Sequence, residues 1–313
     1  MNELTRDQFR RQSTEMLLRE QSKASEEGLH NVTHEALLLR GVVRDRIGGF
    51  FSNAGVPGMS GICTVCRGPA EKEMCGRCAV ASSNYPGLLA DRTILLTYAI
   101  GNRAGERHQS AHHMVAYKGY RGTPQAEECA EDLQLLISSV AELHRPCFEA
   151  WLGAPWDSLT FVPSKERPDR RHPLVALANS VIPPLSAAPS LQKFMLTPGP
   201  GSETKHEMTD DRYLIEERWL PVVEHKNVLI VDDTWTTGAS AQGAAMAAKL
   251  AGAESVSILC VARWLRWDWA DHKVLIDSLT EGFDALRCPV HGVHCTPAIQ
   301  YEAPGLRGTQ LFG

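Results

Sequence analysis

The sequence predicts an α/β protein, a mainly parallel sheet with helices on both faces, carrying N-terminal helices and a small four-cysteine module. Three observations point there. Short β-favouring runs alternate with longer stretches of helical period, the pattern of a parallel sheet covered on both sides. One such run, Val228 to Val231, leads directly into Asp232 and Asp233, a turn rich in Thr and Gly, and the helix-forming stretch 241–250. Finally, Cys63, Cys66, Cys75 and Cys78 form C-x2-C-x8-C-x2-C inside a segment containing Gly and Pro.

Residues 1–58 read as a helical extension. Leu4, Phe9, Met16, Leu17 and Leu18 lie on a charged background, and a second run from Glu35 to Arg46 carries Leu37, Leu38, Leu39, Val42 and Val43. Gly28 and the Asn31/Thr33 region break and restart the helix. Such faces more often cover a neighbouring domain or a partner chain than carry chemistry, so a homo-oligomer is one expected use. A glycine-rich linker leads into the cysteine module, 59–90. The α/β domain, 91–270, is expected to hold strands at Ile94–Ile100, Trp156–Val162, Leu191–Leu196, Leu214–Glu217, Val228–Val231 and Val256–Ala262, with helices at 126–150 and 173–182. Residues 271–313 form a C-terminal extension.

At 313 residues the chain has room for one large α/β domain and something smaller. A net charge of −5 gives no global attraction to nucleic acid or an anionic membrane. No apolar run approaches the roughly 18–20 residues that span a bilayer. Met1–Asp7 has no basic region followed by an apolar core, so a cytoplasmic protein without membrane contact is expected.

Paired thiolates on two tight knuckles meet at one tetrahedral zinc. The competing reading, two disulfides, is disfavoured in a reducing compartment. Four cysteines fill the coordination shell, so this zinc is expected to be structural and to fold a segment with too few apolar residues for its own core. Cys129, Cys147 and Cys260 read as isolated buried thiols. The string Cys288–Cys295 offers Cys288, His291, His294 and Cys295 to a second metal, but adjacent residues such as His294 and Cys295 point apart. A surface loop without metal is the alternative.

The Val228–Ser240 stretch carries the chemistry. A helix N-terminus offers unpaired N–H groups and a positive dipole end. Thr236, Thr237 and Ser240 add hydroxyls, and Gly238 lets the backbone approach a ligand. Such a turn holds a phosphate, while the paired carboxylates grip hydroxyls or a hydrated cation; a sugar phosphate with a cis-diol fits both halves. The plainer alternative is an ordinary strand–helix unit whose Thr and Ser cap the helix.

This string resembles the phosphoribosyl-pyrophosphate (PRPP) loop of the type I phosphoribosyltransferases. The resemblance places Asp232 and Asp233 on the ribose hydroxyls and the turn from Thr234 through Thr236, Thr237, Gly238, Ala239 and Ser240 on the 5′-phosphate. Trp235 stands where a smaller apolar residue is commoner. Ser164 and Lys165, after the Val162–Pro163 strand end, match the family's pyrophosphate loop, with Arg167, Arg170 and Arg171 adding charge. Asp232, Asp233 and Lys165 are the expected catalytic set, and Mg²⁺ is expected to arrive with PRPP. The succession of cysteine module, Tyr117-Lys-Gly-Tyr-Arg-Gly122, Val162-Pro-Ser-Lys165 and PRPP loop resembles the competence protein F (ComF) branch, related to the amidophosphoribosyltransferases. Arg170-Arg-His-Pro173 departs from that branch's pattern.

Three further segments bear on substrate. Residues 198–212, polar and flanked by strands, sit where the family carries a flexible catalytic loop, with Lys205 and Arg212 as candidates to reach the pyrophosphate; a plain connector is the alternative. Trp264-Leu-Arg-Trp-Asp-Trp269 lies where an acceptor base binds, Asp268 accepting from ring N–H groups, or else fills core. No residue identifies the base. The class alternative to an enzyme is a non-catalytic PRPP-sensing or DNA-uptake accessory protein. In it, Arg67, Lys72, Arg77 and the 117–122 string make weak single-stranded nucleic acid contact.

Overall fold

Val228, Leu229, Ile230 and Val231 have no solvent exposure because their strand lies inside the sheet, paired on both edges and covered on both faces. A computed structural model describes residues 3–29, 32–101, 105–119, 124–163, 173–181, 191–204 and 206–294. In chain order they form α1 (Glu3–Glu26), α2 (His34–Val43), β1 (Ser52–Asn53), α3 (Gly76–Asn84), β2 (Arg92–Ile100), α4 (Gln109–Ala116), α5 (Pro124–Leu152) and β3 (Ser158–Phe161). Then follow α6 (Leu174–Asn179), β4 (Gln192–Lys193), β5 (Leu196–Pro198), β6 (Tyr213–Ile215), β7 (Asn227–Trp235), α7 (Ala239–Leu250), β8 (Ser255–Leu265) and α8 (Ala270–Ser278).

The main sheet runs β1-β2-β8-β7-β3-β4 among the described residues. From β2 to β4 all pairings are parallel, and β1 is antiparallel on β2. Ile230 pairs with Thr160 on one side and Ile258 on the other. The fold is therefore mixed α/β with a mostly parallel central sheet flanked by helices. Each fully buried Val, Leu or Ile of β7 contributes about 1.5–3 kcal/mol. The chain leaves β7 for β8 on one side, whereas β3, laid down earlier, lies on the other. That reversal opens a crevice at the carboxyl ends of β3 and β7, where open α/β sheets bind ligands.

Three details differ from the sequence expectation. The strand expected at Val228–Val231 continues to Trp235, because β8 extends to Leu265 and keeps pairing, Asp232 with Cys260 and Trp235 with Arg263. The run Leu191–Leu196 divides around buried Phe194 into the edge strand β4 and into β5, which pairs antiparallel with β6 outside the main sheet. Residues 109–116, left unassigned by the sequence, form α4, started by the His108 side chain accepting from the Ser110 N–H.

The terminal extensions share the core. Arg40 is buried and pairs with Glu27 at 2.7 Å and with Asp284 at 2.6 Å, joining α1, α2 and the segment after α8. Among the described residues no helix is long and apolar enough to cross a membrane.

Candidate functional site

Asp232 and Asp233 stand near the carboxyl end of β7, and both are buried. The Asp233 N–H donates to Asp232 Oδ1 at 2.9 Å, folding the first carboxylate back along the backbone. Asp233 Oδ2 accepts from the Tyr117 hydroxyl and lies 2.8 Å from Lys118 Nζ. These contacts separate the two acids. Burial, reinforced by the neighbouring Asp233 charge, pushes the Asp232 carboxyl well above the usual carboxylate range. Burial works the same way on Asp233, but the Lys118 ammonium and the Tyr117 hydroxyl outweigh it and hold that group below its ordinary value. The two neighbouring acids are thus moved in opposite directions from the same ordinary value.

The turn beyond is built around Trp235. Its indole is fully enclosed, and Gly238 adopts φ +84° directly over it: a β-carbon there would lie 2.6 Å from the ring. Only glycine accepts both the left-handed conformation and the close approach. Gly238 is also the N-cap of α7 and brings no side-chain cap of its own, so the helix start meets an anion through the amides that follow Ala239. Thr237 Oγ1 accepts the Ala239 N–H at 3.3 Å. Thr236 is exposed, Thr234, Thr237 and Ser240 are half-buried, and Gly238 and Ala239 are buried. The structure therefore gathers Asp232, Asp233 and the 234–240 turn at one strand end. Ser164 and Lys165, like Arg167, Arg170 and Arg171, lie outside the described residues.

The four cysteines of the N-terminal module come together, their sulfurs all within 4.8 Å of one another. Cys66 Sγ and Cys75 Sγ are 3.7 Å apart, close to the roughly 3.8 Å edge of a tetrahedron with four 2.3 Å zinc–sulfur bonds. No pair is disulfide-bonded. The donor set and its spacing fit a structural metal. Arg263, on β8, bridges this module to the turn. Its Nη1 donates to the carbonyls of Trp235, Thr236 and Trp264 at 3.0, 2.7 and 2.9 Å. Its other edge faces Gly68, where a β-carbon would meet Arg263 Nη2 at 2.9 Å and Cys66 Sγ at 3.3 Å. A cavity of about 400 Å³ opens between the turn and the cysteines, lined by Thr236, Thr237, Arg77, Arg263 and Trp269.

Several expected roles change. Arg212, expected to reach for pyrophosphate, is buried, and its Nη1 donates to the carbonyls of Gly201, Thr204 and Glu207 at 2.9–3.1 Å. Its Nη2 lies 3.4 Å from Ser240 Oγ, so the arginine holds the 199–212 loop against the start of α7. Lys205 lies outside the described residues. Asp268 is exposed and paired with Arg266, and Trp264 packs against Gly101 at the end of β2. Trp269, 45% exposed, lines the cavity, with the Arg266 guanidinium 5.0 Å and the His272 ring 4.9 Å from its own ring. Arg67, expected at a nucleic-acid surface, is buried and donates to the carbonyls of Thr64 and Thr93. Lys72 and Arg77 are exposed. Tyr117 and Lys118 serve Asp233 instead, a contact between positions 116 residues apart that no local pattern announces.

Among solved structures the chain is similar to a phosphoribosyltransferase from Corynebacterium diphtheriae, with 17% sequence identity and a TM-score of 0.26, over 66% of this chain and 92% of that one. A superposition this loose carries no weight for fold or function. No family model matches the chain, and no curated protein matches it.

Proposed function

We propose that this protein is a type I phosphoribosyltransferase of the ComF-like branch. It binds PRPP with Mg²⁺ and transfers the 5-phosphoribosyl group to a nitrogenous acceptor, or removes it in the reverse direction. The observation that supports this best is the Asp232–Asp233 pair placed just before the glycine-initiated N-terminus of α7, at the carboxyl end of a central parallel strand. One end of that arrangement suits a vicinal diol and the other a phosphate.

In this reading the amides of α7, with Thr236, Thr237 and Ser240, hold the 5′-phosphate against the helix dipole. Asp233, kept ionised by Lys118 and Tyr117, accepts from one ribose hydroxyl, and Asp232 takes the other. Acceptor nitrogen forms a bond to C1 as the C1–O bond to pyrophosphate breaks. The departing charge would be neutralised by Mg²⁺ arriving with PRPP. Ser164 and Lys165 contribute donors to it. The loop held by Arg212 is tied to the start of α7 through Ser240 and would serve to limit water there. A zinc on the four cysteines would hold the 59–90 module in place beside the site.

A panel of purine, pyrimidine and amide acceptors, assayed for pyrophosphate release from PRPP and Mg²⁺, tests the transfer step. Release with one acceptor, abolished in Asp233→Asn, is expected. PRPP binding without release across the panel would favour the PRPP-sensing alternative.

A further inference from the structure

A second cluster of metal-ligating side chains lies away from the site, where α5 meets the segment after α8. His144, Cys147 and Cys288 are buried, with ligand atoms within 4.8 Å of one another. His291, exposed, lies outside that close group, but its Nδ1 is 3.5 Å from Cys288 Sγ, near enough for its ring to turn toward the other two. The residues come as two short pairs, His-x2-Cys on α5 and Cys-x2-His after α8. On a helix, positions three apart share a face, so His144 and Cys147 point the same way.

The backbone around Cys288 repeats that of the first cysteine knuckle, residue for residue. The Cys63 N–H donates to the Gly68 carbonyl at 2.8 Å, and the Cys288 N–H to the Val293 carbonyl at 3.0 Å. The Arg67 N–H returns to the Cys63 carbonyl at 3.0 Å, and the Gly292 N–H to the Cys288 carbonyl at 2.8 Å. Arg67 takes φ +55° and Gly292 φ +75°. Ile62 bridges Pro69 as Arg287 bridges His294, at matching offsets. The N–H···S contacts alone differ in position, Gly68 donating to the fourth residue, Cys66, and Val290 to the first, Cys288, each at 3.4 Å. Chain folded in this way presents its first and fourth residues to one point. In the first knuckle these are Cys63 and Cys66; in the second they are Cys288 and His291.

We infer that His144, Cys147, Cys288 and His291 form a second, Cys2His2 zinc site. Two distances match. A tetrahedral centre with zinc–sulfur and zinc–nitrogen bonds of about 2.3 and 2.05 Å separates a sulfur from a nitrogen by roughly 3.6 Å, against 3.5 Å between Cys288 and His291. His144 Nε2 lies 2.8 Å from the Ala285 carbonyl, the usual outer-shell support of a metal-bound imidazole. Both cysteines carry reduced thiols. On binding, zinc displaces the two thiol protons, and the centre of one Zn²⁺ with two thiolates is neutral, as suits a largely buried position. The octapeptide Cys288–Cys295 thus supplies two ligands rather than four. His294 turns instead to Asp284, 3.1 Å away, and Cys295 lies outside the described residues. This zinc clamps the C-terminal segment, and through Asp284 and Arg40 the N-terminal helices, to α5.

Metal analysis of the full chain, with zinc K-edge absorption for the ligand shell, tests the site independently of any PRPP chemistry. Wild type is expected to hold two zinc ions per chain with an averaged shell of three sulfurs and one nitrogen. Cys63→Ser/Cys66→Ser is expected to hold one, with two sulfurs and two nitrogens. Cys288→Ser is expected to hold one in an all-sulfur shell. If it does not fold, the exposed His291→Ala carries the test: a chromogenic chelator should strip one of its two zincs at least tenfold more readily than from wild type. One zinc per chain in an all-sulfur shell, or zinc content and chelator resistance unchanged in both Cys288→Ser and His291→Ala, would overturn the assignment.

Discussion

The Nη1 of Arg263 donates to the main-chain carbonyl of Thr236 across 2.7 Å, and the same buried guanidinium rests against Gly68 beside Cys66. One side chain therefore sets the turn that faces the ligand and touches the knuckle that holds a metal. Arg263→Met leaves three carbonyls without their charged donor, at a cost on the order of 2–3 kcal/mol. The expected outcome is a lower denaturation midpoint together with at least tenfold weaker PRPP binding. Arg263→Lys restores the charge but not the fork, so it should fall between. Equal PRPP affinity in all three proteins would separate the turn from this arginine.

Gly238→Ala brings a β-carbon to 2.6 Å from the Trp235 ring at a φ of +84°. Steric and conformational costs together should remove about 2–4 kcal/mol of stability and tilt the start of α7. Adding Trp235→Leu relieves the clash but not the φ strain. A double-mutant cycle on unfolding free energy is therefore expected to show favourable coupling above about 1 kcal/mol. Strict additivity would show that Trp235 does not dictate this glycine.

Much of this was legible in the sequence because the signals are local. The β7–turn–α7 unit declares itself by an apolar run, two acids and a glycine within thirteen residues, and the four-cysteine module by its spacing. What escaped depends on distant pairing. Tyr117 and Lys118 reach Asp233 only because α4 ends over the carboxyl edge of β7. Arg212 looks like a free cation in a polar loop, yet the loop wraps around it. His144 and Cys147 are hidden in an ordinary amphipathic helix, and only the return of the chain at Cys288, far along the sequence, makes them partners. The continuation of β7 through its carboxylates depended on the length of β8, which no residue of β7 encodes.

His272 gives a pH dependence of defined sign. Burial, with Arg263 nearby, lowers its pKa to about 4, and Nδ1 accepts the Arg266 N–H at 3.0 Å. Its ordinary value is about 6.5. Between these values the unfolded chain binds the proton and the native chain does not, so stability is present above pH 6.5 and is lost as pH falls toward 4. His108, lowered by burial, acts in the same direction. The expected loss attributable to His272 is on the order of 1–3 kcal/mol, and His272→Asn should flatten that part of the profile of melting temperature against pH. A slope unchanged by the substitution would assign the effect elsewhere.

Cys66→Ser removes one thiolate from the N-terminal cluster. Zinc loss from that site and rapid proteolysis within 59–90 are expected, while far-UV circular dichroism of the sheet persists. Because Arg263 lies between this module and Thr236, PRPP binding should weaken as well, by roughly three- to tenfold. Cooperative loss of the whole fold would show that the module is not separable from the α/β core.

Calorimetric titration of PRPP with Mg²⁺, into wild type and into Asp232→Asn/Asp233→Asn, tests the phosphoribosyl pocket most directly. Binding by the wild type at micromolar strength, lost in the double variant while its melting temperature stays within a few degrees, is the expected result. Absence of binding by folded, zinc-loaded wild type, or binding that survives loss of both carboxylates, would contradict the assignment of this strand end to PRPP.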